Sequence, residues 1–486
     1  MLALVQFLTV VLFLYYFASN TIYVFLLAAA IQKSRSHQQR LGSIRLENLS
    51  QSSFTPPISL VVPAHNESGS IVESVGSLLE LDYPNLEIVV VNDGSKDDTL
   101  ERMAQAYGLV PAHMLYVAEI PTAPVKRLYK SLRQPGLLVV DKESAGNKAD
   151  AVNAGLNVCG SPFVCVVDAD SLLERDSLMR IVSGIFSDPG CVVAAGGIVR
   201  VLNGCQVVKG RLQEITLPRR PLEILQVVEY LRAFLVGREA WACLNMLPIV
   251  SGAFGIFRRD LVLRIGGFRT QAIGEDIDLI VRLHRYLRDQ GMDYRISFVP
   301  DPTCWTEVPS DLKSLARQRA RWQQGLLDTL WQTRDMLFRR RYGRIGFFLL
   351  PYMWVFELFE PVMELAGYAT IAAAALAGSL SPRLAFQFLL FGYAFATALS
   401  VGGVLLEEIT YRRYSNWRDV LRLLVYCFLE HFPYRQLNLL WRLQGMWRCF
   451  RRKSAWGELK RTGLTQAAAT PAAASPRPKR EELLPR

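Results

Sequence analysis

Acidic and basic side chains recur in this chain where a strand would end or a helix begin. Asp168 and Asp170, separated by one small residue, close the apolar run Phe163–Val167. Ligands of open α/β sheets sit beyond the carboxyl ends of the strands. Two aspartates there could hold a hard divalent cation such as Mg2+, which takes one or two carboxylates plus phosphate oxygens. Asp and Ser are also ordinary turn residues, so the pair has a plain structural reading as well. Lys148 follows Gly146-Asn147 in the first turn of an expected helix. Free N–H groups and the helix dipole favour phosphate at that position; the alternative is an exposed first-turn lysine. The G-x-x-x-x-G-K-S/T pattern of a Walker loop is absent. Asp93, before Gly94, could touch a nucleotide or serve the turn. Glu275 and Asp276 stand at another helix start, where acidic residues are also good caps. Gln318, Arg321 and Trp322 share a basic helical stretch, and a tryptophan near a membrane can be purely interfacial.

The elements that must position these groups are legible from periodicity. Ile58–Val62 and Leu86–Val91 read as buried strands, Ser70–Leu81 and Asp97–Tyr107 as the helices that follow them. The rhythm predicts a parallel sheet with helices on both faces. Residues 108–136, with Pro111, Pro121, Pro124 and Pro135, read as a loop-rich insertion. The sheet resumes at Leu137–Val140, followed by a helix from Lys148, the Phe163–Val167 strand, a helix over Arg175–Phe186 and a strand over Val192–Gly196. Residues 222–237 predict an amphipathic helix. The small residues of Ser251-Gly252-Ala253-Phe254-Gly255 would let backbone approach a ligand closely.

Hydrophobic residues make up 51% of the 486, unevenly spread, and the net charge of +11 comes from Lys and Arg clustered beside apolar segments. That is the pattern of a protein on an anionic inner leaflet. The basic balance alone would also suit a nucleic-acid binder, but no helix-turn-helix, zinc spacing or basic aromatic platform accompanies it. Eight scattered cysteines with no C-x-x-C read as reduced apolar residues.

In order, Pro63-Ala64-His65-Asn66-Glu67, Val91-Asn92-Asp93-Gly94-Ser95, Gly146–Gly155, Asp168-Ala169-Asp170, Ser251–Arg259, Gly274-Glu275-Asp276 and Gln318-Arg319-Ala320-Arg321-Trp322 resemble the motifs of glycosyltransferase family 2. Within it the likeness is to the membrane-embedded processive branch of cellulose, hyaluronan and poly-N-acetylglucosamine synthases. It covers roughly residues 58–330. The resemblance implies an α/β GT-A-type, Rossmann-like domain, a UDP-sugar donor and a Mg2+ or Mn2+ requirement. It implies that Pro63, Ala64, Glu67 and Asp93 border the uridine and that Lys148 approaches the nucleotide or its diphosphate. Asp168 would lie near the nucleotide, Asp170 would bind the metal and Asp276 would be the general base. Gln318 and Arg321 would contact the diphosphate, and Trp322 would stack on the acceptor sugar.

Residues 2–31 carry no charged side chain and are followed by Lys33, Arg35 and Arg40. They predict a retained anchor over 1–32 with its basic flank in the cytoplasm, then a polar linker over 33–57. After the 58–330 domain, residues 331–450 predict interfacial and transmembrane helices, with spans at 365–382 and 384–406 and a break at Pro433. Glu357, Glu360 and Glu364 would share a helical face, lining a polymer path or lying in the interface. A basic, then Ala/Pro-rich and disordered tail is expected over 451–486. About three spans is few for a self-contained polymer channel, which suggests a partner subunit or homo-oligomer.

The expected protein is thus a multi-pass cell (inner) membrane enzyme with a cytoplasmic catalytic domain. It would move a sugar from UDP-N-acetylglucosamine or UDP-glucose onto a growing β-linked polysaccharide. The alternatives are transfer of a single sugar to a glycolipid acceptor and a non-catalytic membrane scaffold.

Overall fold

The computed structural model describes residues 2–41, 55–186, 192–208, 210–378, 381–414 and 416–450. The first helix, α1 (Leu2–Leu41), runs through Lys33, Arg35 and Arg40, since no Gly or Pro interrupts it. The expected linker therefore begins as helix, and its residues 42–54 lie outside the described residues, as does the tail from 451.

A ten-stranded sheet forms the centre of the next domain. β1 (Ile58–Ala64) leads to α2 (Ile71–Leu79), β2 (Leu86–Asp93) and α3 (Thr99–Tyr107). Ile71, Ser74, Val75 and Leu78, all buried in α2, recur at helical spacing, which is why this segment packs as a helix. The insertion expected to be loop-rich instead contributes β3 (Leu109–Ala112) and β4 (Val125–Ser131), an antiparallel pair continuing the sheet beyond β5 (Leu137–Lys142). Its prolines do not prevent this, because Pro111 falls on the outermost strand, where proline is tolerated. Then come α4 (Lys148–Val158), β6 (Phe163–Val167), the short β7 (Leu172–Leu173), α5 (Ser177–Phe186) and β8 (Val192–Val201).

The small two-stranded sheet of β9 (Gln206–Val208) and β10 (Arg211–Glu214) precedes α6 (Pro221–Leu231). α6 continues through a π-helical turn, Arg232–Arg238, into α7 (Glu239–Cys243). The Ser251–Arg259 stretch supplies β11 (Phe254–Arg258), inserted between β6 and β8 and antiparallel to both. The sheet is therefore mixed rather than parallel: β1, β2, β5 and β6 run together, while β3–β4–β5, β6–β11–β8 and β12–β7 include antiparallel pairs. α8 (Arg259–Arg264), α9 (Glu275–Asp289), β12 (Arg295–Thr306) and α10 (Leu312–Gln332) complete the domain.

Beyond α10 the chain becomes irregular. A largely π-helical stretch, Ile345–Leu358, bends by 44° into α11 (Glu360–Leu376). α12 (Pro382–Thr410), α13 (Trp417–Leu429), a turn around Pro433 and α14 (Arg435–Phe450) follow. Among the described residues, α1 over Ala3–His37 and α12 over Ala385–Thr410 are long and apolar enough to cross a membrane, and the bent pair would make a third span. The segment expected to span from 365 to 382 is thus the second arm of that pair and ends at Leu376.

The bend also separates Glu357 from Glu360 and Glu364. Arg442 pairs with Glu360, Arg435 reaches Glu360 at 3.4 Å and Glu364 at 3.2 Å, and the Tyr352 hydroxyl donates to Glu357 at 2.9 Å. Glu360 and Glu364 are thus neutralised from α14. A further buried pair ties α12 to the sheet: Arg200 of β8 grips Glu407 of α12 through two bonds of 2.7 and 2.8 Å, both side chains 2% exposed.

Candidate functional site

The site is built at the carboxyl ends of β1, β2 and β6. α4 lies hard against this part of the sheet, since a Cβ on Gly155 would meet Val61 Cγ1 at 2.5 Å and Val91 Cγ2 at 3.2 Å. Its start is capped by the Asn147 side chain, which accepts the Asp150 N–H at 2.9 Å. Close packing at one end and a cap at the other fix where Lys148 emerges. Its ammonium donates to the Gly252 carbonyl at 2.8 Å and forms an ion pair with Asp168. Burial works against the charge, but Asp168 and then Glu275 outweigh it, and the Lys148 pKa is raised.

Gly252 brings the other half of the site within reach. A Cβ there would lie 3.4 Å from Lys148 Nζ and 3.9 Å from Asp276 Oδ2, so both groups face one small space that glycine leaves open. Asp276 sits in the first turn of α9, where its Oδ1 accepts the Ile277 N–H at 2.9 Å. Beside it, burial and then the Asp276 charge push the Glu275 carboxyl up, while Lys148 and Arg321 draw it back.

α10 carries Gln318, Arg321 and Trp322 and touches the start of α9 backbone to backbone. A Cβ on Gly325 would come within 2.8 Å of both N and Cα of Gly274. Arg321 acts electrostatically on Glu275, as the same approach requires. Gln318 Oε1 is buried with no hydrogen-bond partner among the described residues. Trp322 is 43% exposed, with the Arg319 guanidinium 4.4 Å from its ring centroid.

The remaining predicted residues are placed as follows. Pro63 and Ala64 end β1, opposite Val91 and Asn92 of β2. Glu67 bonds the Ser70 hydroxyl at 3.1 Å near the start of α2, and its N–H donates to Thr99 Oγ1 at 3.0 Å. The Asp93 carboxylate is engaged from within the domain, by Lys142 at 2.7 Å and the Ser144 hydroxyl at 3.2 Å. Asp168 and Asp170 follow β6, whose pairing with β1 puts them beside the end of that strand.

Asp168 and Asp170 would offer a metal two hard carboxylates on one turn, and no group of three His, Cys, Asp or Glu that could hold a metal ion occurs among the described residues. Such a pair fits a Mg2+- or Mn2+-type ion that shares its shell with phosphate oxygens; it does not fit an all-protein cage.

A family model, described as "Glycosyltransferase like family 2", matches residues 56–325, more than half of the chain and all of this site. The chain belongs to glycosyltransferase family 2. The mixed sheet and its flanking helices are the GT-A-type α/β fold of that family, here joined to apolar helices.

Among similar curated proteins, a poly-β-1,6-N-acetyl-D-glucosamine synthase of Staphylococcus epidermidis is 27% identical over 282 residues, 57% of each chain. The same-named protein of Staphylococcus aureus is 27% identical over 307 residues, 62% of each. The chain thus spans about three fifths of the length of these relatives. Among solved structures, a mannosyltransferase from Pyrobaculum calidifontis in complex with GDP-Man and Mn2+ aligns with a TM-score of 0.47 at 23% identity. That alignment covers 83% of this chain and 98% of the other.

Within the family 2 domain, several residues that matter to the site were not legible as motifs. Lys142, fully buried, bridges Asp93 and Asp150, the latter at 2.6 Å. A lysine ending an apolar strand was the available signal. Asn153 of α4 exchanges two bonds with the Phe268 backbone, at 2.7 and 2.8 Å, and so holds the loop that leads towards Gly274. Asn157 does the same for Ile120, fastening the insertion to α4. Arg238, at the end of the π-helical turn, has its guanidinium 3.8 Å from the Phe234 centroid and a buried Nη1 with no hydrogen-bond partner among the described residues. Burial lowers its pKa to about 10, while the Asp276 charge works the other way.

Proposed function

We propose that this protein is a membrane glycosyltransferase that elongates a β-linked polysaccharide from a UDP-sugar with inversion, the donor being UDP-N-acetylglucosamine. The observation that carries this reading is the convergence of Asp276 Oδ2 and Lys148 Nζ on the space beside Gly252. One group can take a proton there while the other receives negative charge. The acceptor hydroxyl oxygen attacks the anomeric carbon, the bond from that carbon to the UDP oxygen breaks, and the hydroxyl proton passes to Asp276. Oδ2 suits this role because Oδ1 is already held by the Ile277 N–H. Gln318, Arg321 and Lys148 take the charge of the departing diphosphate.

Pro63, Ala64 and Glu67 border the uridine, with Asp93 held in shape behind them by Lys142. Asp170, with Asp168 beside it, would hold a Mg2+ or Mn2+ ion, which supplies charge neutralisation at the diphosphate when bound. Trp322 offers an exposed aromatic face to the acceptor. The arrangement of one free Asp276 oxygen opposite Lys148 favours a single displacement. The names of the staphylococcal relatives support N-acetylglucosamine as the sugar and a polymer as the product.

The chain divides in this reading into an anchor (1–32), a linker (33–57), the transferase domain (58–330), interfacial and membrane helices (331–450) and a tail (451–486). Lys33, Arg35 and Arg40 after the apolar part of α1 favour a multi-pass inner-membrane protein with its transferase domain in the cytoplasm. With two or three spans, export of a polymer calls for a partner subunit or a second copy. The test is UDP release by the full chain in lipid nanodiscs with Mg2+, screened across UDP-sugars, with the labelled product sized. Long chains from UDP-N-acetylglucosamine are expected. A one-sugar lipid product would replace the polymerase by a single-sugar transferase, and no release from any donor would leave only a scaffold role.

A further inference from the structure

Trp322 belongs to a connected set of side chains that reaches the membrane helices. Arg319, one turn earlier on α10, is 5% exposed and lies with its guanidinium 4.4 Å from the Trp322 ring centroid. The guanidinium is fixed by two bonds of 2.8 Å to Glu229 of α6. The Tyr434 hydroxyl donates to the same carboxylate at 2.7 Å and lies 3.5 Å from Arg319. Tyr434 ends the turn between α13 and α14, and Glu430 in that turn pairs with Arg232 at 2.5 Å. Arg232 also donates to Ser400 of α12 at 2.6 Å. A planar cation clamped on one edge and stacked on one face leaves a neighbouring indole little freedom on that side.

We propose that Arg319, clamped by Glu229 and Tyr434, is a positioning residue that fixes the Trp322 ring as the platform for the acceptor sugar and ties it to the turn after α13. This rests on the acceptor role given to Trp322 above. The side chains divide the work. Glu229 orients the guanidinium, Tyr434 holds the second carboxylate oxygen, and the guanidinium meets the ring. Gln318 lies one helical turn before Trp322 and Arg321 immediately precedes it, so the donor KM, read beside the primer KM, separates an effect on the acceptor platform from one on the nucleotide.

Arg319→Lys separates this from a merely structural ion pair, because lysine can keep the charge pairing with Glu229 but cannot stack as a planar group. In nanodiscs with UDP-N-acetylglucosamine and a β-1,6-linked N-acetylglucosamine tetramer as primer, Arg319→Lys should raise the primer KM by about fivefold, the size of a lost cation–π contact. The donor KM should stay unchanged. In a Trp322→Ala background the same change should do nothing further. A second readout needs no substrate: the emission difference between chains with and without Trp322 isolates that ring. It should shift in both Arg319→Lys and the milder Tyr434→Phe, which removes only a hydroxyl. An unshifted difference spectrum, or an Arg319→Lys effect that persists without Trp322, would overturn the proposal. A wild-type chain that elongates no primer would count against the acceptor reading, while the emission difference still decides the positioning.

Discussion

Gly325 and Gly274 meet with no side chain between them, so that a Cβ on the former would strike N and Cα of the latter at 2.8 Å. The contact joins the helix bearing Gln318, Arg321 and Trp322 to the turn bearing Asp276. Backbone cannot yield as a flexible side chain can. Gly325→Ala should therefore push α9 and α10 apart, with an overpacking cost of about 1–3 kcal/mol. Thermal unfolding should show the loss of stability, and the transfer rate should fall even well below the new melting temperature.

Asp276→Asn keeps the shape of the side chain and removes its ability to take a proton. Transfer should fall by about 10²–10⁴-fold, the usual contribution of a general base. UDP binding, measured by titration calorimetry, should persist. Full activity in this variant would exclude Asp276 as the base.

Asp170→Asn should shift the divalent requirement. UDP release by the wild-type chain should stop with EDTA and return with added Mg2+ or Mn2+. The variant should need a much higher concentration for the same return if Asp170 holds the ion as proposed, because Asp168 would then be the one carboxylate left of that pair.

Glu239 offers a prediction in pH. Its carboxyl is buried against α1, where the Ser34 hydroxyl donates to Oε2 at 2.9 Å, and burial raises its pKa to about 8. A carboxyl raised in the folded state is held protonated there, so its contribution to stability is complete below the ordinary carboxylate pKa and is lost as pH rises towards 8. Each unit of displacement amounts to about 1.4 kcal/mol. Melting temperatures taken between pH 5 and 8 should decline more steeply for the wild type than for Glu239→Gln; parallel curves would refute the assignment.

Arg200 and Glu407 predict an asymmetry between single and double replacement. Removing one partner leaves a buried charge alone, at a cost of about 3–5 kcal/mol. Replacing both, as Arg200→Met with Glu407→Leu, should cost much less. Urea unfolding of the three variants measures the difference.

The strands and helices around the site could be read from the chain because apolar spacing alone determines them, as in Ile58–Val62 and Phe163–Val167. The seven motifs led to Lys148, Asp168 and Asp276, which the structure does bring to one place. What escaped was set by long-range pairing. Pro111 argued for loop, yet the segment finds β4 as a partner and becomes an edge strand. Asp93 read as a nucleotide contact or a turn residue, and the lysine that engages it lies on a neighbouring strand. The three glutamates from 357 to 364 read as lining a polymer path or lying in the interface, and the arginines that pair with Glu360 and Glu364 come from α14, far along the chain. Local sequence carries no signal of such partners.

The Arg200–Glu407 pair also bears on how the protein is made. Arg200 leaves the ribosome roughly two hundred residues before Glu407 does, so β8 lacks the partner of this two-bond pair until α12 has been made. All ten strands of the sheet have been made once β12 is complete, but the tie between it and α12 closes only later. A fragment ending after α10 would lack this tie altogether, so Arg200→Met, costly in the full chain where Glu407 is left buried alone, should cost that fragment much less.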